Sequence, residues 1–120
     1  MRAFSPAQSA YLAATSAMQA ISGEVTAAYP PPTKDAPEEV VEAWVDATEA
    51  LEELLGWSAA FGAQLTAETA LIEWCLSAMK CRATQDQEAH LKILADGWQR
   101  HPKIKESLLA LAMRLDPNSL

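Results

Sequence analysis

From Asp35 to Met79 the chain has no lysine, arginine or histidine. Those 45 residues hold ten carboxylates: Asp35, Glu38, Glu39, Glu42, Asp46, Glu49, Glu52, Glu53, Glu68 and Glu73. The stretch is net −10 and the remainder net +3, which together give the −7 of the whole. A nucleic-acid binder must neutralise phosphates with lysine or arginine, so this balance disfavours direct binding of nucleic acid or of an anionic membrane. Basic proteins remain as partners.

Glycine is also scarce, four residues in 120, too few for a turn-rich β fold, and alanine, leucine, glutamate and glutamine dominate. An all-α chain is expected. There are two cysteines, Cys75 and Cys81, six residues apart. On one helix they point to different faces, which disfavours a disulfide, and two unpaired thiols suit a reducing compartment. Arg2 is followed by a stretch broken by serine, glutamine and threonine, so there is no convincing signal-peptide core, and no apolar run is long enough to span a bilayer. A cytoplasmic location is expected. Cys75, Cys81, His90 and His101 stand 6, 9 and 11 residues apart, which matches no structural zinc spacing. Glu-x-x-His, the signature of di-iron bundles, is also missing. No cofactor is expected.

What is present is helical punctuation. Ser5-Pro6-Ala7-Gln8 supplies a cap, a proline at the first helical position and a glutamine three residues after the cap. Phe4, Tyr11, Ala14, Met18, Ile21, Val25 and Ala28 follow at 3–4 spacing. Pro30-Pro31-Pro32 ends this helix in a stiff connector. Asp35-Ala36-Pro37-Glu38 opens a second helix with Asp35 as cap, an early proline and an acid, and a seam of Val40, Trp44, Ala47, Leu51, Leu54, Ser58, Phe61 and Leu65. A turn is expected near Leu65-Thr66, with Thr66 as cap of a third helix, and Thr84-Gln85-Asp86-Gln87 is cap-like again. Residues 66–100 read as two helices or as one long one. His101-Pro102 forces a break. The expected fold is a single domain over residues 1–120, an elongated bundle of four to five helices at about 5–28, 36–63, 67–83, 86–100 and 102–115. Its long acidic amphipathic helix, if continuous, would run about 42 Å. Gly56 and Gly62 could bend it.

Glu38, Glu42, Asp46, Glu49 and Glu53 form a line along that helix, with Glu39 and Glu52 beside it, all inside an arc of about 140° opposite the seam. Like charges four apart oppose helix formation by a few tenths of a kcal/mol each. One reading is a solvated face that keeps the protein soluble. The other is a docking surface for a basic groove on a protein partner, for instance a nucleic-acid-binding protein, with Trp57 at the flank of the arc as an aromatic anchor. Trp57 and Trp74 each read as exposed or as covered by a neighbouring helix or subunit. Residues 80–120 are only net +2. They could meet the acidic face of a second copy in a homodimer.

Glu39-x-x-Glu42 and Glu49-x-x-Glu52 each pair two carboxylates on one helical face. This resembles half of the motif with which helical nucleotide pyrophosphatases hold Mg²⁺. The family's later E-x-x-D has no counterpart, since Glu68 and Glu73 are five apart, and no lysine or arginine lies nearby to hold a phosphate. The resemblance implies a Mg- or Mn-dependent nucleotide hydrolase with Glu39, Glu42, Glu49 and Glu52 as ligands. His90, four residues after Asp86, could pair with it. The reading favoured by the residues themselves is a non-catalytic acidic module (adaptor, inhibitor or chaperone-like). A metal-dependent hydrolase and a purely structural oligomerising component stand as alternatives.

Overall fold

The computed structural model describes residues 3–119. Met1, Arg2 and Leu120 lie outside the described residues, and so does the signal-peptide reading where it involves Arg2. The fold is all-α: α1 Pro6–Ala28, α2 Glu38–Leu54, α3 Trp57–Lys80, α4 Gln85–Gly97 and α5 Pro102–Arg114, with single 3₁₀ turns at Trp98–Arg100 and Pro117–Ser119. There is no strand among the described residues. The chain divides into two compact units: the residues up to Leu12 together with those from Leu65 onward, and Ala13–Gln64. The division falls inside α1 and again inside α3.

In the first unit the N-terminal turn of α1 is built by the Ser5/Gln8 capping box. Gln8 N–H donates to Ser5 Oγ at 3.2 Å, and Ser5 N–H donates to Gln8 Oε1 at 2.8 Å. The other end of the Gln8 amide does something local spacing does not announce. Its Nε2 donates to the carbonyls of Ala112 and Leu115, at 2.8 and 2.9 Å. Both carbonyls lie at the C-terminal end of α5, where intrahelical donors run out. Gln8 is fully buried, so one side chain satisfies the start of α1 and the end of α5 together.

Around this tie lie two apolar clusters. Leu71 and Cys75 of α3 meet Ala112 of α5, with Ala7, Tyr11 and Trp74 against them. Ile72 meets Trp98 and Leu108, flanked by Leu76, Leu94 and Ile104. Positions 71, 72 and 75 are fully buried at 0% exposure, which identifies the face α3 turns to α5. On the same face Glu68 is nearly buried, and its Oε2 lies 2.7 Å from Lys105 Nζ. Thr84 caps α4 in a capping box with Gln87, and His101-Pro102 separates α4 from α5, both as the sequence predicts. Residues 66–100 are thus two helices, meeting around 81–84.

Burial raises the Cys75 thiol above the ordinary cysteine range. Because the folded value is raised, the associated stabilisation is complete below the unfolded value and is lost as pH climbs through the folded one. Cys81 is exposed. A maleimide at neutral pH is therefore expected to label one thiol per native chain, at Cys81, and two in denaturant; mass spectrometry of the labelled peptides checks this. Fast native labelling of Cys75 would contradict its burial.

Around α2 and α3 the structure departs from the sequence expectation in three places. The acidic helix does not run over 36–63; it stops at Leu54 and is 17 residues long. Gly56 has φ +78°, a left-handed conformation open to glycine without strain. Its N–H donates to Glu53 O at 3.1 Å, and its C=O accepts from Ala60 N–H at 3.0 Å, opening α3. One glycine thus ends α2 and begins α3. There is correspondingly no turn at Leu65-Thr66: both residues are inside α3, and Thr66 is not a cap. Finally, Pro37 stands at the N-cap of α2, with no side-chain capping bond, so Asp35 does not cap the helix.

The buried face of α2 is rotated from the expected seam. Val40, Leu54, Phe61 and Leu65 are exposed, Leu54 at 85%. Thr48 is buried, and Trp44, Val45, Ala47 and Leu51 are half-buried. Averaging one seam across residues 40–65 forces a single phase onto two helices, whereas the break at Gly56 lets each choose its own. Thr48 Oγ1 donates to Val45 O at 2.9 Å, which settles its hydroxyl. Val25 of α1 is buried in this unit.

Candidate functional site

The seven stripe acids keep the order their spacing dictates. Glu38, Glu39, Glu42, Asp46, Glu49 and Glu53 are exposed along α2. No ion pair reaches any of the seven among the described residues. The lysine-free segment does contribute one carboxylate to a pair, Glu68 with Lys105, but Glu68 belongs to α3. Over about 22 Å of helix the stripe is therefore uncompensated within the described residues. Such a row projects a negative field that falls off over about 8 Å at physiological salt.

Glu52 differs from the other six. At 100° per residue it falls about 40° nearer the buried face than the nearest of its neighbours in the row. It is half-buried, and with Trp44 and Thr48 of α2, Ser22, Val25 and Thr26 of α1 and Trp57 of α3 it lines a recess of about 190 Å³. All seven residues belong to the second unit. Two of its walls are fixed. Trp44 Nε1 donates to Tyr29 O at 2.8 Å, and Trp57 stacks on Phe61 with ring centroids 4.9 Å apart and planes 8° from parallel. Trp57 is thus half-buried rather than free at the surface. Trp74, the other tryptophan of open placement, is also half-buried, against Leu71, Cys75 and Ala112.

Sequence reasoning put Trp44 in the core seam, Trp57 at the edge of the arc and Glu52 in the stripe. It did not bring them together, because the recess also needs residues from α1, eighteen or more positions away. The one available signal was the angular offset of Glu52.

The alternative ligand set, Glu39, Glu42, Glu49 and Glu52, stays spread along α2. No group of three or more His, Cys, Asp or Glu residues is placed to hold a metal ion among the described residues. His90 Nδ1 is 3.1 Å from the backbone carbonyl of Asp86, not from its carboxylate. The Asp86–His90 spacing thus yields a contact from side chain to main chain on the exposed face of α4.

In the first unit a larger apolar groove of about 430 Å³ runs beside Met79, Leu91, Leu94 and Leu115, with Arg82 and His90 among its lining residues.

No protein-family model matches the chain, no curated protein is similar to it in sequence, and no solved structure is similar to it in fold.

Proposed function

We propose that the protein is a non-catalytic binding module that docks a basic surface of a protein partner along α2, through Glu38, Glu42, Asp46, Glu49 and Glu53, with Trp57 beside them. The observation that supports this reading is the exposed row of carboxylates without a counter-ion among the described residues. Charges arranged in this way raise the rate of encounter with a cationic partner and exclude anionic ones. Burial beside the row supplies the rest of the affinity, and Trp57, with Phe61 stacked on it, is the large aromatic group available there. A partner that carries nucleic acid elsewhere would meet α2 as a rival to phosphate.

The test is capture from the native host by the wild type and by a triple variant carrying Glu42→Lys, Asp46→Lys and Glu49→Lys. All three sites are exposed on one helix, so the variant keeps the fold, which circular dichroism verifies. The wild type is expected to retain a defined basic protein at low salt, to lose most of it at several-fold higher salt, and to lose it entirely on charge reversal. Equal retention by wild type and variant would refute docking through α2. Light scattering accompanies the capture, because residues 80–114 of a second copy are one of the basic surfaces that could compete.

A further inference from the structure

We infer that the recess between Trp44, Trp57 and Glu52 is a receptor for a single alkylammonium group, such as the head of a lysine side chain on a docking partner.

The composition of the recess carries this. Two indoles, one on α2 and one at the start of α3, line a cavity of about 190 Å³. That is too small for a drug-sized ligand and suited to one side-chain head. An indole face is the best aromatic surface for a cation, and an aromatic cage recognises ammonium groups by that attraction. The polar wall has the matching sign. Glu52 is the one carboxylate of the row turned into the recess, and among the described residues it has no hydrogen bond or ion pair. With no protein partner, its carboxylate oxygens are open to an incoming ammonium, and a charge-assisted hydrogen bond there is stronger than a neutral one. No lysine or arginine is among the residues lining the recess. The hydroxyls of Ser22 and Thr26 add acceptors for ammonium hydrogens.

Both rings are also held before any ligand arrives. Trp44 is tied through Nε1 to Tyr29 O, and Trp57 lies against Phe61. Rings held beforehand lose little freedom on binding. Val25, buried at the recess, gives an apolar surface for the methylene next to the nitrogen. An exposed carboxylate row alone would bind any cation loosely; the recess adds shape and desolvation at one position.

The inference rests on the docking reading only for the source of the cation, and it is tested apart from it. The probe is Nα-acetyl-lysine methylamide, titrated into the ¹⁵N-labelled protein and followed by the indole N–H signals of the four tryptophans. Trp74 and Trp98, in the first unit, are internal controls. Saturable shifts are expected at Trp44 and Trp57, with Trp74 and Trp98 unmoved. The neutral isostere Nα-acetyl-norleucine methylamide is expected not to reproduce them. Glu52→Gln should weaken the probe about tenfold, and Trp57→Leu should abolish binding while Trp74 and Trp98 keep their native positions.

The inference is overturned if all four indoles respond alike, if none responds, if the neutral isostere binds equally well, or if Glu52→Gln binds like the wild type. Failure here with salt-sensitive capture intact would leave docking through α2 standing. Success here with capture unaffected by charge reversal would leave a cation site without the row.

Discussion

Replacing Gln8 by leucine is expected to lower the stability of the first unit by about 3 kcal/mol, although leucine matches the surrounding apolar groups better than an amide does. Leucine fills the volume but satisfies nothing. It leaves Ser5 N–H, Ala112 C=O and Leu115 C=O without the side-chain partners they now have. Each buried backbone group deprived of its partner costs about 1–3 kcal/mol, and the apolar burial gained offsets part of the total. Thermal unfolding followed by circular dichroism should show a fall in Tm of about 10–15 °C. Ser5→Ala removes one capping acceptor and should cost only about 1 kcal/mol.

The same site separates two explanations of the loss. Gln8→Glu keeps the acceptor for Ser5 N–H but turns a carboxylate oxygen toward two carbonyls. Burial and lone-pair repulsion must raise the folded pKa of such a carboxyl above its unfolded value. A raised folded value stabilises only below the unfolded one and is lost as pH rises, so Gln8→Glu should be least stable at neutral pH and recover in mild acid. Gln8→Leu should show no such recovery. If both variants unfold like the wild type, the contact between Gln8 and α5 does not support the fold.

The second large effect is expected at Lys105. Lys105→Met removes the partner of Glu68, whose side chain is 10% exposed, and should destabilise the first unit by about 2–3 kcal/mol. Glu68→Leu should cost much less, because the lysine it frees is 29% exposed and can extend into water. The double variant Glu68→Leu with Lys105→Met should recover most of the loss, since a buried ion pair is often no better than an apolar pair of similar volume. Denaturant titration of the three variants gives the coupling between the residues. Equal losses from the two single variants would mean that the pair acts as an ordinary surface bridge.

The boundaries set by local chemistry were legible in the sequence. Ser5 and Gln8, Thr84 and Gln87, and His101-Pro102 each act within a few residues, and each forms where the spacing predicts. The outward direction of six of the seven acids in the row was legible too, because charge seeks water; Glu52, half-buried, is the exception. The α2–α3 break was not, since apolar residues continue past Gly56 in steps that suit an unbroken helix. Gly56 permits a bend there, but Thr66, a good capping residue type, draws the expected turn to Leu65-Thr66 instead. The face that α2 buries was lost with the break, which is why Leu54, read as seam, lies in solvent. The second task of Gln8 was invisible for a different reason: its partners lie 104 and 107 residues away, and no local pattern marks them. The Trp44–Glu52–Trp57 recess shares that origin, since it depends on α1 residues brought up by tertiary packing.

The tie from Gln8 to α5 also imposes an order on synthesis. A nascent chain cannot close the first unit until residue 115 has left the ribosome, because the Gln8 amide waits for the carbonyls of Ala112 and Leu115. The segment from Ala13 to Gln64 is complete long before then and needs no later residue for its internal contacts. Leu71, Ile72 and Cys75 therefore emerge with their helical covering still unmade. In that interval the nascent chain is open to chaperones or to aggregation.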